Sequence, residues 1–387
     1  MSTHAATGVA PTRTVVRHVV SHLVVPVLLA TGMALAYLGA FHQPEPHALR
    51  IDVVGSGPQV ATLAQGLQNK FGDAAAVRTV ATADQARDEL RRLEIAGAYL
   101  PDPTSPTLML ATAGSDTTAV TVQRMLGPVA LASGQPLRVE DVVPTDATDP
   151  TGQGAFFYLV ALSVGGYSAA IAIGAASAGR LRMRLRVALG IGAAAVIAAV
   201  TTVVAGPLYG ALPSSGWAIG ALAWLYVGAV VFIGIGLHTF LGRWTTLALV
   251  SMFVMLNFTS AGGVFTPALQ PGFFASLHSF WIGSGLLEAS RRLLYFPELG
   301  IGREVLVLVL WALAGLGLTA VAALVEGRRR DRTAPAQGRH EAPDTPTGAD
   351  ATPATRADVP AGTQAGTQAG TQAGTQAEEE IEESVVA

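Results

Sequence analysis

The chain contains no cysteine. Disulfides, thiolate metal sites and cysteine nucleophiles are excluded together, and any part outside the cell must rely on its own core. Lysine is almost as scarce, with Lys70 the only one. The phosphate-binding pattern GxxxxGK[ST] needs a lysine that reaches the β- and γ-phosphates. Lys70 stands in Gln68-Asn69-Lys70-Phe71, so the chain carries no such loop and no ATP site of that kind. Charge is thin overall, at 13% of 387 residues. An average soluble domain is about 25% charged. Acid is missing altogether from residue 150 to residue 287. A soluble domain of that length without a carboxylate would dissolve poorly, so a wholly soluble protein is excluded. A membrane protein with soluble parts attached fits, as does the mean hydropathy of +0.44. The acid-free run also argues against a proton-coupled antiporter, which uses intramembrane carboxylates. The net charge of −3 and the lack of a basic, aromatic-interleaved patch argue against nucleic acid.

What is present is apolar sequence in long blocks. A spanning helix needs about 20 apolar residues. Six stretches qualify, at 19–41, 156–178, 187–208, 217–241, 244–264 and 304–325. Every backbone amide in lipid must be satisfied within its own segment, so all six are predicted helices. Arginines set the orientation. Arg13 and Arg17 precede the first span, and Arg180, Arg182, Arg184 and Arg186 follow the second. Arg243 parts the fourth from the fifth, and Arg328, Arg329, Arg330 and Arg332 follow the sixth. Six crossings put all four groups on one side. The expected protein is a multi-pass plasma-membrane protein with residues 1–18 and 327–387 cytoplasmic, and 42–155 and 265–303 outside. The first span competes with a cleaved signal peptide, since Ala34-Leu35-Ala36 resembles a cleavage site. Its apolar run is longer than such signals carry, which favours an uncleaved anchor.

Residues 42–155 change character, and acids there outnumber bases. Strands are predicted at 51–54, 77–80, 97–101 and 106–113. Helices are predicted after Gly57-Pro58, with Val60, Leu63, Leu67 and Phe71 on one face, after a Thr82–Gln85 capping box, and over 117–133. The order βαβαββα indicates a small α/β domain. Gly55-Ser56-Gly57 reads as a tight turn, because no third glycine completes a nucleotide fingerprint.

Lipid provides no hydrophobic drive for helix association, so close packing needs small residues. Gly166, Ala170, Gly174 and Ala178 recur at i+4 on the second span, as do Gly190 with Ala194 and Ala195 with Ala199 on the third. The stretch 257–296 breaks the pattern of spans. It holds Asn257, Gly262, Gly263, Pro267, Pro271, Gly272 and Phe273, then a polar helix over 273–295 with His278, Ser284, Glu288, Arg291 and Arg292. A helix broken and returning at the outer face is the physical expectation. Non-helical backbone at that depth must be buried in protein or line a cavity.

The pattern Asn257, Ser260-Ala-Gly-Gly263, Pro267, Pro271-Gly-Phe-Phe274, Glu288 and Arg291 resembles the region after the fifth helix of ABC-2-type exporter permeases, in the YhgE/Pip-like branch. Asp149-Pro-Thr-Gly-Gln-Gly154-Ala-Phe-Phe-Tyr158 leading to Gly165-Gly-Tyr167 resembles the junction from outer domain to second helix in actinobacterial members. The layout of one span, an outer domain and five further spans is similar too, over about 15–326. The resemblance implies a homodimer or heterodimer of permease subunits driven by a separate cytoplasmic ATP-binding subunit, with no catalytic, cofactor or metal residue in this chain. It also implies a coupling segment between the second and third spans. Here that loop is short, and Arg180, Arg182, Arg184 and Arg186 are the candidate ATPase contacts. The same arginines serve equally as a topology signal or an anionic-lipid contact.

An intramembrane serine protease would need a serine paired with a buried histidine, and Gly283-Ser284-Gly285 has none following it within a span. The tail after Arg332 is polar, repeats Ala-Gly-Thr-Gln, and ends in a glutamate cluster. Its composition predicts disorder. Two functions follow from the sequence: the membrane subunit of an ATP-driven exporter, or a membrane-anchored surface protein of the YhgE/Pip type whose outer domain binds a partner or supports secretion.

Overall fold

The computed structural model describes residues 12–132, 134–177, 181–212 and 216–333. The reading of the tail, Ala178 and Arg180 lie outside these residues. The described chain is mostly helical. It opens with α1 (Thr12–Phe41), which leads into a five-stranded sheet.

The sheet is built from β1 (Leu49–Val54), α2 (Pro58–Phe71), β2 (Ala75–Val80), α3 (Ala83–Arg91), β3 (Gly97–Leu100), β4 (Thr107–Leu110), α4 (Asp116–Ala132) and β5 (Arg138–Asp141). Its strand order is β2-β1-β3-β4-β5, with β3–β4 the antiparallel pair. Alternation along the strands divides two cores. Ile51, Val53, Leu108 and Leu110 meet Leu67 of α2 and Val122 and Leu126 of α4. Val54, Ala98 and Met109 meet Ala86 and Leu90 of α3. Local signals behave as their chemistry requires. Pro58 opens α2, and the Thr82 hydroxyl accepts from the Gln85 amide at 3.2 Å. Gly55 and Gly57 both take positive φ in the turn between β1 and α2. The strand β5 goes beyond the sequence expectation. It is short and exposed on most of its length, so it has no alternating pattern to betray it.

Among the described residues, five helices are long and apolar enough to cross a membrane: Leu23–Phe41, Gly154–Ala175, Met183–Leu208, Gly216–Ser260 and Gly302–Arg330. They belong to α1, α5 (Gly154–Ser177), α6 (Met183–Val203, continued by a π turn), a 45-residue run, and a final long helix. Drawn straight, that run would measure about 68 Å, twice a hydrocarbon core of about 30 Å. It is bent back on itself. A tight turn at Gly242–Trp244, with Gly242 at φ 51, ends α7 (Gly216–Leu241). The chain returns as α8 (Thr245–Val250), a π stretch (Ser251–Leu256) and α9 (Asn257–Ser260). The return is fixed by Tyr226 and Asn257, whose side chains hydrogen-bond at 2.9 Å. The helix stops at Ser260, short of the expected 264, because Gly262 takes φ 83.

Two short helices follow, α10 (Gly272–His278) and α11 (Ile282–Tyr295), before α12 (Gly302–Thr333). The single helix expected over 273–295 is therefore divided at 279–281, where Trp281 adopts an extended conformation. The central helix is α7, buried along most of its length. Small residues bring its neighbours close. Gly166, Ala170 and Gly174 of α5 face Val230, Gly234 and His238 of α7, and Gly190 of α6 faces Val231. Gly236 meets Leu318 of α12. Ala195 and Ala199 do not share this role. Ala194 and Ala198 occupy the buried face of α6, and the other two line an open groove beside Trp217 and Trp224.

Candidate functional site at the helix break

A helix ends with carbonyls that have no partner inside it, and burying them bare is costly. At the end of α9 and just beyond it, the carbonyls of Thr259, Ser260, Gly262, Gly263 and Val264 each have a side-chain partner. Gln270 Nε2 donates to Thr259 O at 2.7 Å, and His278 Nδ1 lies 3.0 Å from Ser260 O. Arg291 Nη2 donates to Gly262 O at 3.2 Å, and Gln153 Nε2 to Gly263 O at 3.1 Å. The Thr117 hydroxyl of α4 donates to Val264 O at 2.8 Å. Five side chains thus supply what water would otherwise supply. Both glycines are required by space, and Gly262 by its φ of 83 as well. A Cβ on Gly263 would stand 2.1 Å from the Phe156 ring. Arg291 also pairs with Glu288 one turn earlier on α11.

The next residues leave the helical bundle and enter the α/β domain. Leu269 is 0% exposed and packs among Ile51, Val53, Leu110 and Leu126, with Phe265 and Ala268 beside it. The Thr118 and Thr266 hydroxyls meet at 2.9 Å, and the His47 amide donates to Ala268 O at 2.7 Å. This docking is not legible in the sequence. Ala268-Leu269 between two prolines reads as loop, and its partners are remote along the chain.

Between the sheet and the break lies a cavity of about 330 Å³. Arg50, Glu94 and Thr118 line its domain side, and Thr266, His278, Glu288 and Arg291 the side of the break. His278 Nε2 is 4.0 Å from Glu288 Oε1. Burial pushes the imidazole below its ordinary range, against the opposing pull of the Glu288 charge. With Nδ1 donating to Ser260 O, the neutral ring leaves Nε2 as an acceptor toward the cavity. The wall carries charges of both signs, and the positions of His278, Glu288 and Arg291 serve first to hold the break.

No family model, curated protein or solved structure matches the chain.

The other motif residues fall into distinct places. Asn257 sits below the break in a buried cluster: its Nδ2 donates to the Tyr226 hydroxyl at 2.9 Å and to Ser163 Oγ at 3.3 Å. Ser163 in turn donates to Leu159 O at 2.7 Å, which leaves Tyr226 to donate to Ser163 at 2.6 Å. Pro267 opens a tight turn, and Pro271 and Gly272 begin α10. Phe273 is 62% exposed and has no part in the cavity. The candidate coupling arginines divide. Arg182 and Arg184 are exposed at the start of α6, whereas Arg186 is 2% exposed and turned into the bundle. It is thus removed from a surface a partner could grip, because its guanidinium is engaged by Glu326 of α12.

Proposed function

We propose that the chain is the membrane subunit of an ABC-2-type exporter, crossing the bilayer six times with both termini cytoplasmic, and that ATP is hydrolysed by another chain. The observation that carries this reading is the pair of short helices after the break. After α10, α11 returns into the bundle, where Gly283 abuts Asn257 and Gly285 abuts the start of α12. A helix that breaks and returns at that point of the chain is the physical expectation for this stretch, whose residues Asn257, Gly262, Gly263, Pro267, Pro271, Glu288 and Arg291 carry the resemblance to those permeases. Two paired carboxylates, Glu304 buried and Glu326 half-buried, support the placement in the bilayer. Glu304 and Glu326 stand about 33 Å apart along α12, near the thickness of the hydrocarbon core. Each is neutralised by arginine, Glu304 by Arg292 and Glu326 by Arg186. In this reading the α/β domain sits outside, the cavity beside the break is an outer vestibule, and two permease subunits act together.

A second reading, the anchored surface protein, draws on the short link between α5 and α6 and on the inward turn of Arg186, which leave little for an ATPase to grip. Affinity capture of the full chain from its native membrane separates the two. Export predicts an ATP-binding subunit retained in the complex and export lost on deletion. Capture of none, with export unchanged on deletion, leaves the surface protein. Crossing number is tested in the cysteine-free chain. Asp102→Cys should react with an impermeant thiol reagent in intact cells and Arg184→Cys should not.

A further inference from the structure

At the end of the bundle away from the α/β domain, one carboxylate oxygen gathers three helices. Glu326 Oε1 of α12 accepts from Arg186 Nη1 of α6 at 2.9 Å and from the Thr239 hydroxyl of α7 at 2.8 Å. The fourth helix meets them one residue away. Gly174 of α5 packs so tightly on His238 of α7 that a Cβ there would stand 2.9 Å from the ring. Arginine is costly to bury unless paired and hydrogen-bonded. Arg186 bears that cost while Arg182 and Arg184, on the same end of α6, remain in the open. From this point toward the Ser163–Tyr226–Asn257 cluster the helices close by direct contact: Gly236 on Leu318, Gly234 on Ala170, and the Thr319 hydroxyl donating to Phe232 O at 2.8 Å.

We propose that Arg186 and Glu326 form the latch of a gate that closes this end of the bundle below the central polar cluster. The latch is placed to respond to a pull on α6. The Arg186 amide bonds Arg182 O at 3.2 Å, so a single helical turn joins the buried guanidinium to the exposed Arg182 and Arg184. A partner that grips those two arginines moves Arg186 away from Glu326 and frees α12 from α6, which leaves Thr239 of α7 as the one bond on that carboxylate oxygen. The burial of Arg186 is then the means of coupling and not an obstacle to it. The meaning of the gate rests on the export reading. The latch itself is a statement about two side chains.

The absence of cysteine makes the test direct. Thr319 is 3% exposed and stands about two turns from Glu326 toward the centre. Thr319→Cys therefore provides a single thiol behind the latch. The full chain, reconstituted in nanodiscs, is treated with an impermeant maleimide and the labelling rate is measured. Arg186→Ala and Glu326→Gln should each raise that rate at least ten-fold. The charge-swapped pair Arg186→Glu with Glu326→Arg should return it toward the parent. Glu304→Gln, which opens a buried pair at the other end of α12, should leave it unchanged. Parental rates in both single variants, with helix content and monodispersity retained, overturn the latch. Fast labelling in the swap or in Glu304→Gln also overturns it, by showing general loosening. No substrate or ATPase enters the measurement, so its failure leaves the export reading standing. Failure to capture an ATPase likewise leaves the latch standing.

Discussion

The side-chain oxygen of Asn257 ends against the backbone of Gly283. A Cβ at position 283 would stand 2.3 Å from it, closer than any real contact allows. Asn257 Oδ1 is buried and has no hydrogen-bond partner, although Nδ2 is fully used by Tyr226 and Ser163. The close approach binds the re-entrant helix α11 to the end of the helix before the break. Gly283→Ala should destabilise the protein by about 1–3 kcal/mol through overpacking. The measurement is thermal unfolding in detergent. Gly272→Ala, at a position with nothing within 4 Å, provides the comparison and should change little. Adding Asn257→Ala to Gly283→Ala should recover part of the loss, since the shortened side chain vacates the space. A double variant as weak as the sum of the two singles would show that the clash is not between these residues.

Leu269 belongs by sequence to the segment after the fifth apolar helix and by packing to the core of the α/β domain. Leu269→Ala should cost about 2–5 kcal/mol, because the vacated space cannot collapse fully. The loss should appear as faster proteolysis within 42–155, far along the chain from the substitution. The docking can also be trapped. Thr118→Cys with Thr266→Cys replaces two hydroxyls that lie 2.9 Å apart. These would be the only cysteines in the chain, and mild oxidation should join them almost completely. Thiols that stay free after oxidation would argue that the domain does not rest on this segment.

Much of this architecture is legible from local pattern, and the illegible parts share a cause. The strands β1 to β4, the helix starts at Pro58 and Thr82, and the Gly166–Ala170–Gly174 seam are written in neighbouring residues, so period and capping chemistry find them. The strand β5, the break at 279–281 and the burial of Leu269 depend on partners distant in sequence. Arg186 is the clearest example. Four arginines at alternate positions look alike in the sequence, and only the arrival of Glu326 and Thr239 from α12 and α7 turns one of them inward. The residues of the break stand out as a motif, but their pairing does not, since Gln153 and Thr117 come from remote parts of the chain and Gln270 reads as loop.

Asp52 of β1 is 0% exposed and accepts from Arg78 Nε at 2.7 Å, and Arg78 also pairs with Glu89 of α3. Burial raises the Asp52 carboxyl above the ordinary aspartate range, with the neighbouring Glu89 adding to the rise and Arg78 opposing it. The folded domain therefore holds this proton more tightly than the unfolded chain. The stability linked to it is present at low pH and is lost as pH rises from the ordinary aspartate value through the raised folded value. Glu140, held below its ordinary range by Arg87, acts in the opposite sense at the acidic end. Asp52→Asn isolates the first effect. The melting temperature of the parent relative to Asp52→Asn should fall as pH rises through that window, and be level above it. A difference that grows in favour of the parent with rising pH would mean that Arg78 outweighs burial at this site.

Gly234 and Ala170 meet at the centre of the α5–α7 seam. A Cβ on Gly234 would stand 2.4 Å from the Ala170 methyl and 3.0 Å from Leu249 Cδ1. The first contact is between two short groups that cannot rotate away, so one methyl is all the space at this crossing can hold. Gly234→Ala should therefore part α5 from α7 and lower the melting temperature, with Ser163 and Tyr226 drawn apart in consequence. Ala170→Gly alone should cost less, since it leaves a gap without forcing movement. The exchange of both, Ala170→Gly with Gly234→Ala, puts one methyl back into the same space from the opposite helix and should restore most of the loss. Leu249 is the remaining obstacle in that exchange, and its rotatable side chain can yield. The double-mutant cycle in thermal unfolding reads the coupling directly. Simple additivity of the two changes would show that helix spacing here is set elsewhere along the seam, at Gly166 or Gly174.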